Sequence, residues 1–420
     1  MKKLLGIFLG MALFLPGIST KATIELSAPT EESSAVSVGG FQASEECELF
    51  ALPEVEKQVS VDNIDLQLNA KAAYMMDWSS GTEIYANNAI EQLPIASMCK
   101  IMTLILCFDA VESGNLDLDE EITVSERAAS MGGSQVFLEA NAKYPARELI
   151  KSIIVCSAND SCVAMAERIA GSESLFTDKM NARAKELGAA NTLFANCTGL
   201  PKEPQYSCAK DVAAMLCKLI ENEEYFGFCK VWTEKFQHPE GRVTEITNTN
   251  KLVRFYQGCD GGKTGFTSEA GFCLAATAKR GNTRFISVVI NAGTSKQRFA
   301  DVSGAFNYGF ANYSSKTAVE KGRALDVTAR VEKGVKTSVK VAAENDVFVF
   351  SAKNRKDNVM IEFVPSPGVK APLKEGDKVG EIVVYKDNVE YARVAAVSME
   401  NVDKKLFFDY VKDVARAWSL

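Results

Sequence analysis

Ser97 and Lys100 stand one helical turn apart in Ser97-Met98-Cys99-Lys100. On a helix, an i, i+3 spacing puts two side chains on one face. The lysine amine could therefore take the serine's proton, provided it is uncharged. Burial and a second nearby cation both push a lysine toward the neutral form, and a helix N-terminus favours negative charge developing at the hydroxyl. The chemistry would be acyl transfer through a covalent serine intermediate. Average residue usage gives about one Ser-x-x-Lys by chance in a chain of this length. Ser207-Cys208-Ala209-Lys210 is such a decoy, and Ser207 reads as the N-cap of the helix that follows.

Two further clusters follow in order. Ser157-Ala158-Asn159 offers a hydroxyl and an amide that could relay a proton and hold a substrate amide, although a polar triplet between helices is more often simple capping. Lys263-Thr264-Gly265, framed by Gly261-Gly262 and Phe266-Thr267, could hold a carboxylate by charge and hydrogen bond. Gly265 would let a substrate backbone approach a strand edge. Chance gives only about 0.1 occurrences of Lys-Thr-Gly, and its place after the other two clusters strengthens the case.

These residues need a rigid frame. Residues 72–77 and 82–85 read as a hairpin around Ser79-Ser80-Gly81. Residues 97–111 form a helical pattern that is apolar almost all round, hence buried. Further helices are expected over 146–170, 175–187 and 209–220, and strands over 272–278 and 285–291. Helices inserted into a sheet give an α/β or α+β domain over 66–315. Short alternating runs over 338–342, 347–351, 359–364 and 381–385 mark a small all-β domain, 316–398. The last segment, 399–420, contains a helix over 402–420 that gathers Val402, Leu406, Phe407, Tyr410, Val411, Val414 and Trp418 on one face, with Lys404, Lys405, Lys412 and Arg416 among its polar positions. That pattern suits a membrane interface, and docking on the β domain is the alternative.

Residues 1–22 have the basic start, apolar run and small-x-small ending of a secretory signal, followed by a Ser/Glu-rich leader over 23–65. The apolar run is shorter than the roughly 20 residues that span a bilayer, so the protein is expected to be exported without a spanning anchor. Removing the signal takes three lysines and no acids with it, moving the net charge from −7 to −10. Nucleic acid is therefore not an expected partner. The single histidine, His238, excludes a metal site built on several imidazoles and leaves one ring for any serine-histidine triad. No metal or other cofactor is expected. The eleven cysteines are odd in number and largely in apolar helical contexts, so most read as small buried hydrophobes.

The ordered trio is that of penicillin-binding proteins and class A β-lactamases. The text around it resembles the serine-type D-alanyl-D-alanine carboxypeptidases, low-molecular-mass penicillin-binding proteins of peptidase family S11. The stretches that carry the resemblance are Leu93-Pro94-Ile95-Ala96-Ser97-Met98-Cys99-Lys100-Ile101-Met102-Thr103, Asn248-Thr249-Asn250-Lys251-Leu252, Asp260-Gly261-Gly262-Lys263-Thr264-Gly265-Phe266-Thr267 and Ala270-Gly271-Phe272-Cys273-Leu274. The resemblance runs from about Ala72 to the C-terminus and implies a penicilloyl-serine transferase (β-lactamase-like) fold with a helical subdomain, the small β domain and a C-terminal amphipathic helix.

It further implies that Ser97 attacks the D-Ala-D-Ala carbonyl with Lys100 as base, and that Ser157 and Asn159 handle proton transfer and orientation. Lys263 and Thr264 would grip the terminal carboxylate, and the backbone N–H groups of Ser97 and Phe266 would form the oxyanion hole. The partners implied are peptidoglycan stem peptides ending in D-Ala-D-Ala, β-lactams as covalent inhibitors, and the outer face of the cytoplasmic membrane, in the cell-wall space. Cys99 stands where the family often has threonine, and Gln205 where relatives commonly carry histidine. The competing readings are a peptidoglycan endopeptidase, a class A β-lactamase, whose glutamate loop is not evident between Asn159 and Lys263, and a non-catalytic wall-binding scaffold.

Overall fold

A computed structural model of the chain describes residues 20–25 and 66–418. The expected signal (1–22) and leader (23–65) lie outside the described residues, apart from Thr20–Glu25. The chain divides into two units that meet in sequence at Ser314 and Ser315.

In the first unit a five-stranded antiparallel sheet has the order Glu83–Asn87, Ala72–Asp77, Thr283–Ala292, Gly271–Arg280, Cys259–Thr267. The hairpin expected around Ser79-Ser80-Gly81 is present, closed by the Asp77 carboxylate, which accepts from the Ser80 N–H (2.8 Å) and from the Ser79 and Ser80 hydroxyls (2.7 Å each). Strand Thr283–Ala292 is buried along nearly its whole length, as a strand covered on both faces must be. Ile286, Val288 and Ile290 join the helical core, while Phe285 packs edge-on against Phe310 of the helix Ser295–Asn312. Lys100–Glu112 is the expected all-round apolar helix and runs through that core.

Two expectations change here. The helix expected over 146–170 is two helices, Ala146–Val155 and Asn159–Ala170. No Pro or Gly breaks it. The backbone groups freed at the break find partners elsewhere: the Val155 carbonyl accepts from Thr249 N (2.9 Å), and Asn159 N donates to the Ser134 carbonyl (2.7 Å). The helix Ala209–Leu219 is capped by Cys208, whose sulfur accepts from Asp211 N, and not by Ser207. Ser207 is instead buried, with its backbone paired to Leu93 and its hydroxyl 2.7 Å from Thr192 Oγ1.

In the second unit a six-stranded sheet has the order Thr20–Glu25, Asn358–Pro365, Lys378–Lys386, Val389–Ser398, Ser338–Ala343, Ala324–Arg330, and Tyr313–Val319 pairs with Val347–Ala352. Thr20–Glu25, which straddles the end of the expected signal and the start of the leader, lies antiparallel along Asn358–Pro365. An open sheet edge offers the unpaired backbone groups to receive such a strand. Val402 was expected on the amphipathic helix. It is buried in the β core and pairs with Leu373, and the helix begins only at Phe407. Leu406, Phe407, Phe408, Val411, Val414 and Trp418 are exposed, Trp418 by 88%. No helix among the described residues is long and apolar enough to cross a membrane.

Candidate active site

Ser97 lies in a 3₁₀ turn, Ala96–Cys99, that feeds directly into the buried helix beginning at Lys100. The residue before it is strained, with Ala96 at φ +47°, a region that costs a non-glycine residue about 1–3 kcal/mol. Such strain persists only where neighbours over-determine the backbone, and two glycines do so here. A Cβ on Gly199, itself at φ +78°, would lie 2.0 Å from the Ala96 carbonyl oxygen, and one on Gly265 would lie 2.5 Å from the Ile95 oxygen. Gly265 is thus required for the strand to press on the nucleophile's turn, a different reason from the substrate approach its place in the sequence suggests.

Lys100 is wholly buried. Its Nζ is 3.0 Å from Ser97 Oγ and donates to Asn159 Oδ1 (2.7 Å) and to the Thr198 carbonyl (2.5 Å). An uncharged amine has two N–H donors and one lone pair. Were Lys100 uncharged, as the base role requires, its two donors would serve Asn159 and Thr198 and its lone pair would face the Ser97 hydroxyl. Asn196 builds the Thr198 side: its Oδ1 accepts from the N–H groups of Thr198 (3.1 Å) and Gly199 (2.7 Å). Gln205 closes the same loop, with Oε1 accepting from Ala195 and Asn196 N and Nε2 donating to the Leu200 carbonyl.

Ser157 occupies the break between the two helices at φ +66°, and its buried hydroxyl has no hydrogen-bond partner among the described residues. A buried donor left unmade costs about 1–3 kcal/mol, so this hydroxyl is available to an incoming group. Lys263 lies on the edge strand Cys259–Thr267 and is almost fully buried, donating to the Thr264 carbonyl (3.1 Å). Burial first, then the charges of Lys100 and Arg298, push its pKa down to about 7, against the opposing thiols of Cys162 and Cys156. The second-cation effect, expected at Lys100, is thus found at Lys263. Thr264 donates to Thr249 Oγ1 (2.8 Å), and Thr249 N reaches the Val155 carbonyl, tying the strand to the helix that precedes Ser157. Phe266 is exposed at the strand's end and stacks on Phe272 at 4.3 Å.

Ser97, Lys100 and Asn159 thus share direct hydrogen bonds, and Lys263 adjoins them electrostatically. Ser157 bonds to none of them. His238 is buried among Tyr144, Arg242 and Thr244, with no serine or cysteine among its hydrogen-bond partners, so it forms no triad with Ser97. The Cys99 thiol donates to the Asn196 carbonyl (3.2 Å), and burial pushes its pKa up to about 12. It stays protonated and points into the supporting loop. All ten described cysteines are free, eight of them buried.

Several contributors escaped the sequence reading. Asn196 and Gly199 act on residues a hundred positions away. Arg298 donates to the Gly265 (3.0 Å) and Cys273 (3.3 Å) carbonyls, and burial lowers its pKa. The Asp160 carboxylate accepts from the N–H groups of Val136 and Leu138 (3.1 Å each). None carries a local signal; only Gly199, a glycine between Thr198 and Leu200, hints at a close backbone approach.

Lys263 yields a stability prediction. Its folded pKa lies below the ordinary lysine value, so the cost of its charge is present in full below about pH 7 and fades as pH rises toward about 10.4, where the unfolded chain also loses the proton. At about 1.4 kcal/mol per pH unit of displacement, that cost is on the order of 4 kcal/mol. Lys263→Met is expected to be the more stable protein by several °C in thermal unfolding at pH 6, with the gap narrowing by pH 10. A gap independent of pH would contradict the neutral-lysine assignment.

The chain matches the family model described as D-alanyl-D-alanine carboxypeptidase over residues 56–294 and the model of the penicillin-binding protein 5 C-terminal domain over 313–404. It is 35% identical over 371 residues to the D-alanyl-D-alanine carboxypeptidase DacF of Bacillus subtilis (strain 168), covering 88% of this chain and 95% of that protein. The crystal structure of penicillin-binding protein 5 from Haemophilus influenzae superposes with a TM-score of 0.62 at 30% identity, over 80% of this chain and 98% of that one. The ampicillin-bound penicillin-binding protein D2 of Listeria monocytogenes gives 0.53 at 32% identity, over 59% of this chain and 100% of that one.

Proposed function

From the premise that the chain belongs to the serine D-alanyl-D-alanine carboxypeptidases of peptidase family S11, we propose a role for each residue of the site. The protein is a low-molecular-mass penicillin-binding protein with the two-part, α/β and all-β, architecture of its relatives. Its reaction removes the terminal D-alanine of peptidoglycan stem peptides, and its place of work is the cell-wall space.

Lys100 Nζ takes the proton of Ser97 Oγ as that oxygen attacks the carbonyl carbon of the penultimate D-alanine. The backbone N–H groups of Ser97 and Phe266 hold the oxyanion. The C–N bond then breaks, and the leaving D-alanine amine takes a proton delivered through the Ser157 hydroxyl. A water molecule, giving its proton back along the same path, attacks the acyl-enzyme and releases the shortened peptide and Ser97. Asn159, fixed by Lys100 and by its Nδ2 bond to the Gly132 carbonyl (2.7 Å), orients the substrate amide. Lys263 and Thr264 grip the terminal carboxylate. That anion favours the charged form of Lys263, so binding draws in a proton above about pH 7.

The observation that carries this reading is the three-way contact of the Lys100 amine with Ser97, Asn159 and Thr198. Product analysis on a pentapeptide ending in D-Ala-D-Ala tests it. Release of one D-alanine per peptide is expected. Preferential cleavage of cross-linked dimers would favour an endopeptidase, rapid penicillin hydrolysis a lactamase, and penicillin labelling without D-alanine release a scaffold.

The exposed aromatic and aliphatic residues of Phe407–Trp418 support attachment to a membrane surface, apolar face in the interface and lysines toward the headgroups. Ending the chain after Leu406 is expected to move the protein from vesicles to the soluble fraction with carboxypeptidase activity intact. Undiminished vesicle binding would place the anchor elsewhere. The cut spares Val402, whose loss would open the β core.

A further inference from the structure

The loop of residues 132–139 is held by two sets of contacts. One set belongs to the site: Asn159 Nδ2 donates to the Gly132 carbonyl (2.7 Å), Asn159 N to the Ser134 carbonyl (2.7 Å), and Asp160 accepts from Val136 and Leu138 N. The other surrounds His238. Arg242 donates from Nη2 to the Phe137 carbonyl (2.6 Å) and from Nε to Glu139 Oε1 (2.9 Å). Thr244 donates to the Val136 carbonyl (3.2 Å), and the Tyr144 hydroxyl accepts from Glu139 N (3.3 Å). The loop resists this hold, with Phe137 at φ +65°.

The ring's partners fix its protonation. His238 Nδ1 lies 2.9 Å from Arg242 Nη2 and 3.0 Å from Tyr144 Oη, while Nε2 lies 2.9 Å from Thr244 Oγ1. A guanidinium can only donate, so Nδ1 carries a lone pair. Nε2 then carries the proton and donates it to Thr244, whose own proton goes to Val136. The ring is neutral and in one tautomer.

We propose that His238 is a positioning residue for the acyl-transfer site: its neutral ring completes a strap that holds residues 136–139 beside Asn159, and protonation of the ring opens the strap. A proton on Nδ1 would set donor against donor and charge against charge at Arg242. The ring could still donate to Tyr144 Oη, but Arg242 would have to leave, and with it the hold on Phe137 and Glu139. The groups facing the ring are Tyr144 from the strand Lys143–Pro145, Phe236 edge-on at 5.0 Å, Arg242, Thr244 and the carboxylate of Glu139. Burial, then Arg242, lowers the ring's pKa, and Glu139 opposes them. The strap is therefore closed at neutral pH and opens on the acid side of about 6.5.

The inference rests on the role proposed for Asn159, but its test reads the loop separately. His238 is the chain's one histidine, so its imidazole gives a single NMR titration in the full-length protein. Amide exchange of Val136 and Leu138, corrected for the intrinsic pH dependence, is expected to lose protection by about tenfold or more as pH falls through the ring's own midpoint. The penicillin acylation rate of the wild type is then divided by that of His238→Gln, which cancels the titration of the lysines. This ratio is expected to fall about threefold or more at the same midpoint.

Unchanged protection while the ring titrates overturns the strap, and a ratio flat with pH overturns its link to the site. Should His238→Gln fail to fold, the wild-type exchange measurement alone decides. If Ser97 were not the nucleophile, loop protection would still follow the ring, so the two failures are distinguishable.

Discussion

Lys100→Met is expected to lower both penicillin acylation and D-alanine release by at least about 10³-fold, at the upper end of what general bases contribute. The methionine fills a similar volume but removes the amine that reaches Ser97 Oγ, leaving Asn159 Oδ1 and the Thr198 carbonyl without this partner. Lys100→Arg is the sharper variant. It restores hydrogen-bond donors, yet a guanidinium stays charged and does not give up its proton in a protein, so it should be equally inactive. Stopped-flow acylation with a fluorescent penicillin reads both. A Lys100→Arg enzyme within about tenfold of the wild type would shift the base to another group, with Lys263 the first candidate.

Gly199→Ala should be the most damaging single-methyl change near the site. The new Cβ would lie 2.0 Å from the Ala96 carbonyl oxygen and 3.0 Å from Ser97 N, on a backbone at φ +78°. Backbone strain and overpacking together are expected to cost about 3–5 kcal/mol. Whatever relaxation follows must displace the turn carrying the nucleophile, and a misplacement of about 1 Å costs on the order of 10²-fold in rate. Gly188→Ala is the control, since its φ of +72° is similar but nothing lies within 4 Å of the added Cβ. It should lose only about 1–2 kcal/mol and keep its acylation rate. Denaturant unfolding and acylation of the two variants, compared side by side, separate the clash from the backbone term, and equal effects would refute the clash.

The sequence exposed the parts of the site that depend on local spacing. Ser97 and Lys100 are legible because a helical turn alone brings them together, and Lys263-Thr264-Gly265 because a carboxylate-binding triplet so rare by chance follows them in order. What depended on distant contacts was hidden. The break at Ser157 has no Pro or Gly to announce it and exists because Thr249 and Ser134 take over the backbone bonds. Gly265 looked like an opening for substrate, but its actual neighbour is Ile95. Ser207 had the right residue type for a cap, yet its hydroxyl is engaged near Thr192, and Cys208 does the capping. Val402 matched the helical period by coincidence, since a β bridge to Leu373 holds it in the other unit's core. Four strands of the five-stranded sheet and the main helices before residue 220 were readable from periodicity, whereas the edge strand Cys259–Thr267, the helix Ser295–Asn312 and the polar hairpin Thr233–Gln237 and Val243–Thr247, which carries Thr244, did not register.

One measurement bears most directly on the account: the full-length protein is incubated with benzylpenicillin, digested, and the adduct mapped by mass spectrometry. A single penicilloyl ester on Ser97, lost in Ser97→Ala while the fold is retained, is the predicted result. An adduct on Ser157, Ser207 or another side chain, or labelling that survives Ser97→Ala, would contradict it.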